Sequence, residues 1–139
     1  MKLVLDTNVL IASLIARGAC TDLLEHCVLS HTIVASDFIF LELQRHLVGK
    51  FKYSAQEADE AIALLGSQME IVEPKSLRQA VCRDPDDDQI LATAIAGQVK
   101  CVVTGDKDLL VLRSYEGIAI ISPRDFADFE TLDENSRRM

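Results

Sequence analysis

Tryptophan is absent from this sequence, and aromatic residues make up only 5% of it. The core must therefore be built from leucine, isoleucine, valine and alanine. No Cys-x-x-Cys pair occurs, and none of the three histidines, His26, His31 and His46, sits at zinc-ligand spacing from another ligand, which argues against a structural zinc site. The same isolation removes Ser-His-Asp and Cys-His nucleophile arrangements and leaves the histidines surface or helix-packing roles. The four cysteines, at 20, 27, 82 and 101, are expected as buried free thiols, which suits a reducing cytoplasm. Internal repeats, low-complexity tracts and Gly/Ser linkers are missing, and no uninterrupted apolar run is long enough to span a bilayer. The apolar stretch Val9–Ala16 follows Asp6 and Asn8 and lacks a small-residue cleavage site after it, so it is not read as a signal peptide.

Positive charge is also scarce. Fourteen Lys and Arg stand against 22 Asp and Glu, a net charge of −8. A general duplex binder is expected to be basic. This surplus implies bound cations at an acidic site, a basic partner protein, or both. With 49% hydrophobic and 26% charged residues, the 139-residue chain has the composition of one ordinary globular domain. We place that domain at residues 1–128 and expect 129–139 to be a frayed polar tail.

Short apolar runs alternate with helical patterns. Strands are expected at Lys2–Leu5, Thr32–Ala35, Glu70–Val72, Lys100–Val103 and Ile118–Ile121. Between them, Thr7-Asn8 caps a helix over Val9–Ala16 that Gly18 ends, and a second helix covers Cys20–Leu29. Ser36 caps a third, to Val48, and Ser54 with Glu57 forms a capping box for a fourth. Asp84-Pro85 opens a helix that stops at Gly97, a short helix follows Asp106, and Pro123 starts the last one. Strands that are apolar without period-two alternation, separated by helices, indicate an α/β fold with a parallel sheet covered on both faces. Ligands in such folds bind beyond the carboxyl ends of the strands.

Four acids gather at that edge: Asp6, Glu42, Asp88 and Asp106. Converging carboxylates repel and are costly to desolvate unless a cation or shared protons compensate. A divalent-metal site for phosphate-ester chemistry is the first hypothesis. Each acid also has a plainer reading. Asp6 and Asp106 are good helix caps, and Glu42 fits an exposed stripe with Arg45 or His46 as partner, although five apolar neighbours make a charge there unusual. Within Asp84-Pro85-Asp86-Asp87-Asp88, capping and the helix dipole explain Asp84, Asp86 and Asp87. Asp88, spaced three and seven from Leu91 and Ile95, is placed on the side facing the sheet. Asp108 stands between the two groups. Asn8 and Thr104 are candidate substrate contacts, and Arg45, Lys50, Lys52 and Lys107 are candidate contacts to a nucleic-acid backbone. Phe51 and Tyr53, interleaved with Lys50 and Lys52, offer rings for base stacking, or else the segment is a solvated loop.

The segments Leu5-Asp6-Thr7-Asn8, mid-helix Glu42, Asp88-Gln89-Ile90-Leu91-Ala92-Thr93-Ala94 and Val103-Thr104-Gly105-Asp106 resemble, in order and spacing, the PIN-domain family of metal-dependent ribonucleases. This family includes the VapC-type toxins of toxin–antitoxin pairs. The stretches Cys82–Asp88 and Thr104–Leu110 look like a subgroup of toxin components. The resemblance covers nearly the whole domain. It implies a three-layer α/β/α fold with a five-stranded parallel sheet in the order 3-2-1-4-5, one or two Mg²⁺ or Mn²⁺ ions, frequent homodimers and a protein antitoxin that covers the site. It also implies a catalytic tetrad of Asp6, Glu42, Asp88 and Asp106, with Asp6, Asp88 and Asp106 as metal ligands and Glu42 and Asp108 as further candidates. The acidic run is richer than the family pattern, which leaves open a share for Asp84 or Asp87. The activity so implied is a cytoplasmic endoribonuclease that hydrolyses RNA phosphodiester bonds, with no membrane association. A non-catalytic PIN-like module that binds a protein or RNA through its acidic pocket is the alternative. Two other α/β classes fail on their own residues. A haloacid-dehalogenase-type phosphatase needs Asp where Asn8 stands, and a receiver domain needs a Lys after the fifth strand, where none follows Ile121.

Overall fold

The computed structural model describes residues 1–138. Five parallel strands form its centre: β1 (Lys2–Leu5), β2 (Thr32–Ala35), β3 (Met69–Ile71), β4 (Cys101–Val103) and β6 (Ile118–Ile121). A sixth, β5 (Ser114–Tyr115), pairs antiparallel with β6. The order across the sheet is β3-β2-β1-β4-β6-β5. The parallel part thus has the order expected, and β5 is the strand the sequence did not disclose. It arises from a two-residue hairpin in which Glu116 and Gly117 both have positive φ, 50° and 80°, the twist that a tight hairpin favours.

The helices are α1 (Thr7–Ile15), α2 (Ala19–Ser30), α3 (Asp37–Gly49), α4 (Ala55–Gly66), α5 (Pro85–Gly97), α6 (Lys107–Leu110) and α7 (Phe126–Arg137), the last preceded by a short 3₁₀ turn at Pro123–Asp125. Leu3, Val4, Ile33, Val34, Val102 and Val103 are each at most 1% exposed. Consecutive strand residues point to opposite faces, so both faces of the sheet are covered and the layers are α/β/α. No single helix among the described residues is long and apolar enough to cross a membrane.

Caps follow the sequence in part; Ser36 stands at the start of α3, but its hydroxyl bonds to Thr93 Oγ1 at 2.9 Å and caps no helix amide. The capping box of α4 forms as expected, with Glu57 N–H bonded to Ser54 Oγ and Ser54 N–H to the Glu57 carboxylate, both at 3.0 Å. Helix α1, however, starts at Thr7, because Asp6 itself is the cap and accepts from Thr7 N–H. Gly18 does not end α1 but stands before the first residue of α2. Helix α7 runs without a break across residue 128 and through Arg137, and Glu130 is held by two histidines, one on α2 and one directly after it. Met139, the end of the expected tail, lies outside the described residues.

One close approach sets the phase of α5. A Cβ at Gly97 would stand 2.5 Å from Val34 Cγ1 of β2, so only glycine lets the helix lie this near the sheet. Counting back along that face by helical spacing gives Ala94, Ile90 and Asp87, all buried. The residue that α5 turns inward at its first turn is therefore Asp87.

Candidate active site

The register of β1 and β4 brings the first carboxylate to its place. Leu5 pairs with Val103, and Asp6 N–H continues the ladder to the Val103 carbonyl at 2.9 Å. Asp6 is 5% exposed, and both of its oxygens accept hydrogen bonds. Oδ1 accepts from Thr7 N–H at 2.7 Å, while Oδ2 accepts from Thr104 Oγ1 at 2.7 Å and Asn8 Nδ2 at 3.1 Å. Thr104 Oγ1 in turn accepts from Asp106 N–H at 3.0 Å, and Asn8 Oδ1 accepts from Gly105 N–H at 3.1 Å. The turn after β4 is thereby tied to the turn after β1. Capping and site roles coincide: Asp6 caps α1 and Asp106 caps α6, each with one oxygen.

Glu42 reaches the same place from α3. Its carboxylate accepts from Thr7 Oγ1 at 2.8 Å, so the partner expected from helix spacing, Arg45 or His46, is not the one used. His46 bonds instead to the Glu42 carbonyl, through Nδ1 at 2.8 Å.

The third acid departs from expectation. Asp88 accepts from the backbone N–H groups of Val81 and Cys82, at 3.2 and 2.8 Å, and so pins the segment leading into α5. Asp87 turns inward in its stead and is 8% exposed. The cavity at this edge, about 330 Å³, is lined by Asp6, Glu42, Asp87 and Asp106, with Asp84 and Asp86 beside them. Asp88 does not line it. The cause is the helix phase fixed by Gly97, which places position 87 rather than 88 on the inner face.

The electrostatics match a crowded acidic pocket. Burial pushes the Asp6 carboxyl up, Thr104 and the Thr7 amide pull it down, and Glu42 and Asp106 push it up again. Asp87 is pushed up to about 7, first by burial and then by the Asp106 carboxylate beside it. Oxygens of Asp87, Asp106 and Asp108 lie within 4.8 Å of one another. Asp108 is exposed and also faces Arg83 at 3.4 Å. An all-carboxylate donor set suits hard dications such as Mg²⁺ or Mn²⁺, and a dication relieves the repulsion among these carboxylates.

The candidate substrate contacts divide. Lys50 and Phe51 line the cavity, as does Asn8, although both ends of the Asn8 amide are committed to Asp6 and Gly105. Thr104 is 0% exposed with its hydroxyl committed to Asp6 and Asp106, so it positions a carboxylate and does not face a ligand. Arg45, Lys52 and Lys107 are exposed and do not line the cavity. His46, read from the sequence as isolated, does line it. The sequence signal for His46 was its i+4 spacing from Glu42, and for Asp87 its place in the buried stripe ending at Gly97.

A family model described as PIN domain matches residues 2–108. Among curated proteins, no sequence matches this chain. Solved structures share its fold, VapBC2, VapBC-1 and FitAcB among them. VapBC2 from Rickettsia felis, solved bound to a DNA fragment from its promoter, contains a chain with a TM-score of 0.65 at 18% identity, over 88% of this chain and 98% of that one. VapBC-1 from nontypeable Haemophilus influenzae gives 0.64 at 16% identity, over 89% and 99%. FitAcB from Neisseria gonorrhoeae gives 0.57 at 15% identity, over 87% and 97%. At these identities the likeness is one of fold, whereas the family match spans most of the sequence and reaches from β1 to the second residue of α6. This chain belongs to the PIN-domain family.

Proposed function

We propose that this protein is a divalent-metal-dependent endoribonuclease that acts as the toxin of a toxin–antitoxin pair. The observation that carries this reading is the convergence of Asp6, Glu42, Asp87 and Asp106, from two turns and two helices, in one cavity at the carboxyl edge of the sheet. We assign the catalytic roles to these four, with Asp87 in the place first given to Asp88. Asp6, Asp87 and Asp106 would hold one or two Mg²⁺ or Mn²⁺ ions, joined by Asp108 from the rim. A bound ion supplies a water of lowered pKa and stabilises charge on the scissile phosphate.

The chain's own residues do the rest. Thr104, Asn8 and the Thr7 amide fix both oxygens of Asp6, so its orientation costs nothing to set when a ligand arrives. Thr7 Oγ1 holds Glu42 at the cavity wall, where it can accept a proton from a water at its free oxygen. Lys50 at the rim pairs with a phosphate, and Phe51 beside it offers a ring to an unstacked base. Single-stranded RNA fits an acidic chain better than a duplex, since only the few phosphates at the cavity need neutralising. The VapBC neighbours support a protein antitoxin as partner, and we propose a cytoplasmic homodimer as the working form.

Cleavage of single-stranded RNA in Mg²⁺ or Mn²⁺, compared between wild type and Asp6→Asn, tests the reading. Loss of cleavage in the variant supports it, and equal cleavage by both proteins overturns the site. Absence of cleavage in any RNA, together with tight binding of a partner protein, would move the assignment to a non-catalytic module. Growth arrest on expression tests the toxin role, and a neighbouring reading frame whose small protein product relieves the arrest would identify the antitoxin.

A further inference from the structure

A second cluster of ligand-type side chains lies at the other edge of the sheet. His31 immediately precedes β2, so it sits at the amino edge, away from the acidic cavity. Its Nε2 meets Glu130 Oε2, which also takes His26 Nε2 at 2.6 Å. His26 lies on α2, His31 directly follows it, and Glu130 comes from α7, 99 residues beyond His31. One ligand atom from each of the three lies within 4.8 Å of the other two.

From this arrangement we infer a second metal site, formed by His26, His31 and Glu130, for a borderline transition-metal dication of the Zn²⁺, Co²⁺ or Ni²⁺ class. Three features carry the inference. First, two imidazole nitrogens gather on one carboxylate oxygen, and this N₂O set selects a different class of ion from the all-oxygen cavity. Tetrahedral ligation at about 2.0–2.1 Å needs donor atoms roughly 3.3 Å apart, a spacing the cluster reaches with small side-chain movements. Second, the rings are already held. They stack edge-on with centroids 5.5 Å apart, and each packs edge-on against Phe126, at 6.4 Å for His26 and 5.9 Å for His31. His31 Nδ1 also faces the Met1 nitrogen at 3.1 Å. Third, burial is graded. The side chains of His31 and Glu130 are 9% and 19% exposed, and that of His26 is 46% exposed, which leaves a path for the ion and room for a water ligand.

An ion here would clamp α7 onto α2 and the start of β2, at a distance from the acidic cavity. It would act on the stability of the C-terminal helix and not on the hydrolytic step.

Titration of the full chain with Zn²⁺ and with Co²⁺, in excess Mg²⁺ to occupy the acidic cavity, tests the site. One equivalent of Zn²⁺ should bind and raise Tm. Co²⁺ should give the visible absorption of a low-symmetry nitrogen-containing site, which an all-oxygen octahedral site gives only weakly. His26→Ala, at the most exposed ligand, should abolish that absorption and weaken binding by at least about tenfold. Glu130→Gln, which keeps the side-chain volume, should do the same. Asp6→Asn should leave Co²⁺ absorption intact, and His26→Ala should leave Mg²⁺-dependent RNA cleavage intact. Binding unchanged in both His26→Ala and Glu130→Gln, or no binding beyond the acidic cavity, overturns the inference.

Discussion

Gly97 on α5 and Val34 on β2 touch so closely that a single added methyl would stand 2.5 Å from Val34 Cγ1. This contact determines which aspartate of the acidic run enters the cavity. Substituting Gly97→Ala gains up to about 1 kcal/mol of helix propensity but overpacks a buried contact, at a cost of roughly 1–3 kcal/mol. We expect net destabilisation in urea unfolding, partly recovered when Val34→Ala is added. A neutral or stabilising Gly97→Ala would mean that α5 does not lie this near β2.

Asp87 and Asp88 should separate cleanly. Asp87→Asn is expected to reduce metal-dependent RNA cleavage by roughly 100-fold or more while leaving the fold intact. Asp88→Ala leaves the Val81 and Cys82 amides without their acceptor and should cost about 1–3 kcal/mol of stability, with the cavity carboxylates still in place. Paired measurements of cleavage rate and unfolding midpoint distinguish the two, and an inactive, fully stable Asp88→Ala would restore Asp88 to the site.

Stability of the metal-free protein should depend on pH through Asp87. Its carboxyl rises from an ordinary 3.8 to about 7 on folding, chiefly by burial, so the folded chain binds that proton more tightly than the unfolded chain does. The corresponding stability is fully present below pH 3.8 and is lost as pH climbs through 7. Tm measured in a chelator should therefore fall across that window. Asp87→Asn should flatten the fall, and Mg²⁺ or Mn²⁺ should offset it at neutral pH.

The thiols give a prediction of the opposite kind. Burial pushes Cys27 and Cys101 up to about 12, and Cys82 likewise by burial and the nearby Asp88 carboxylate. Alkylation at pH 8 should spare these three in the native protein and reach them on unfolding. Rapid native labelling of Cys27, read by peptide mass mapping, would contradict its place in the core.

The alternation of strands and helices and the capping box at Ser54 could be read from local pattern, while the order of the parallel strands and the grouping of Asp6, Glu42 and Asp106 came with the resemblance to PIN domains. What could not be read depends on contacts between distant elements. Asp87 and Asp88 differ by one helical step, and only the close approach of Gly97 to Val34 decides between them. Thr104 reads as an available hydroxyl until β1 is laid beside β4, where Asp6 consumes it. The three histidines look isolated because the carboxylate that joins two of them arrives 99 residues after His31. The antiparallel strand at Ser114–Tyr115 is two residues long, too short for any periodicity.

That short strand has a consequence for how this molecule meets others. A sheet with a long open margin invites a second chain to add a strand, the route by which many β-containing proteins aggregate. Here one margin ends in two residues, Ser114 and Tyr115, and the other in three, Met69–Ile71. Neither is long enough to template an extended partner, so association is channelled to helix faces and loops, and the parallel core is shielded from edge-to-edge growth.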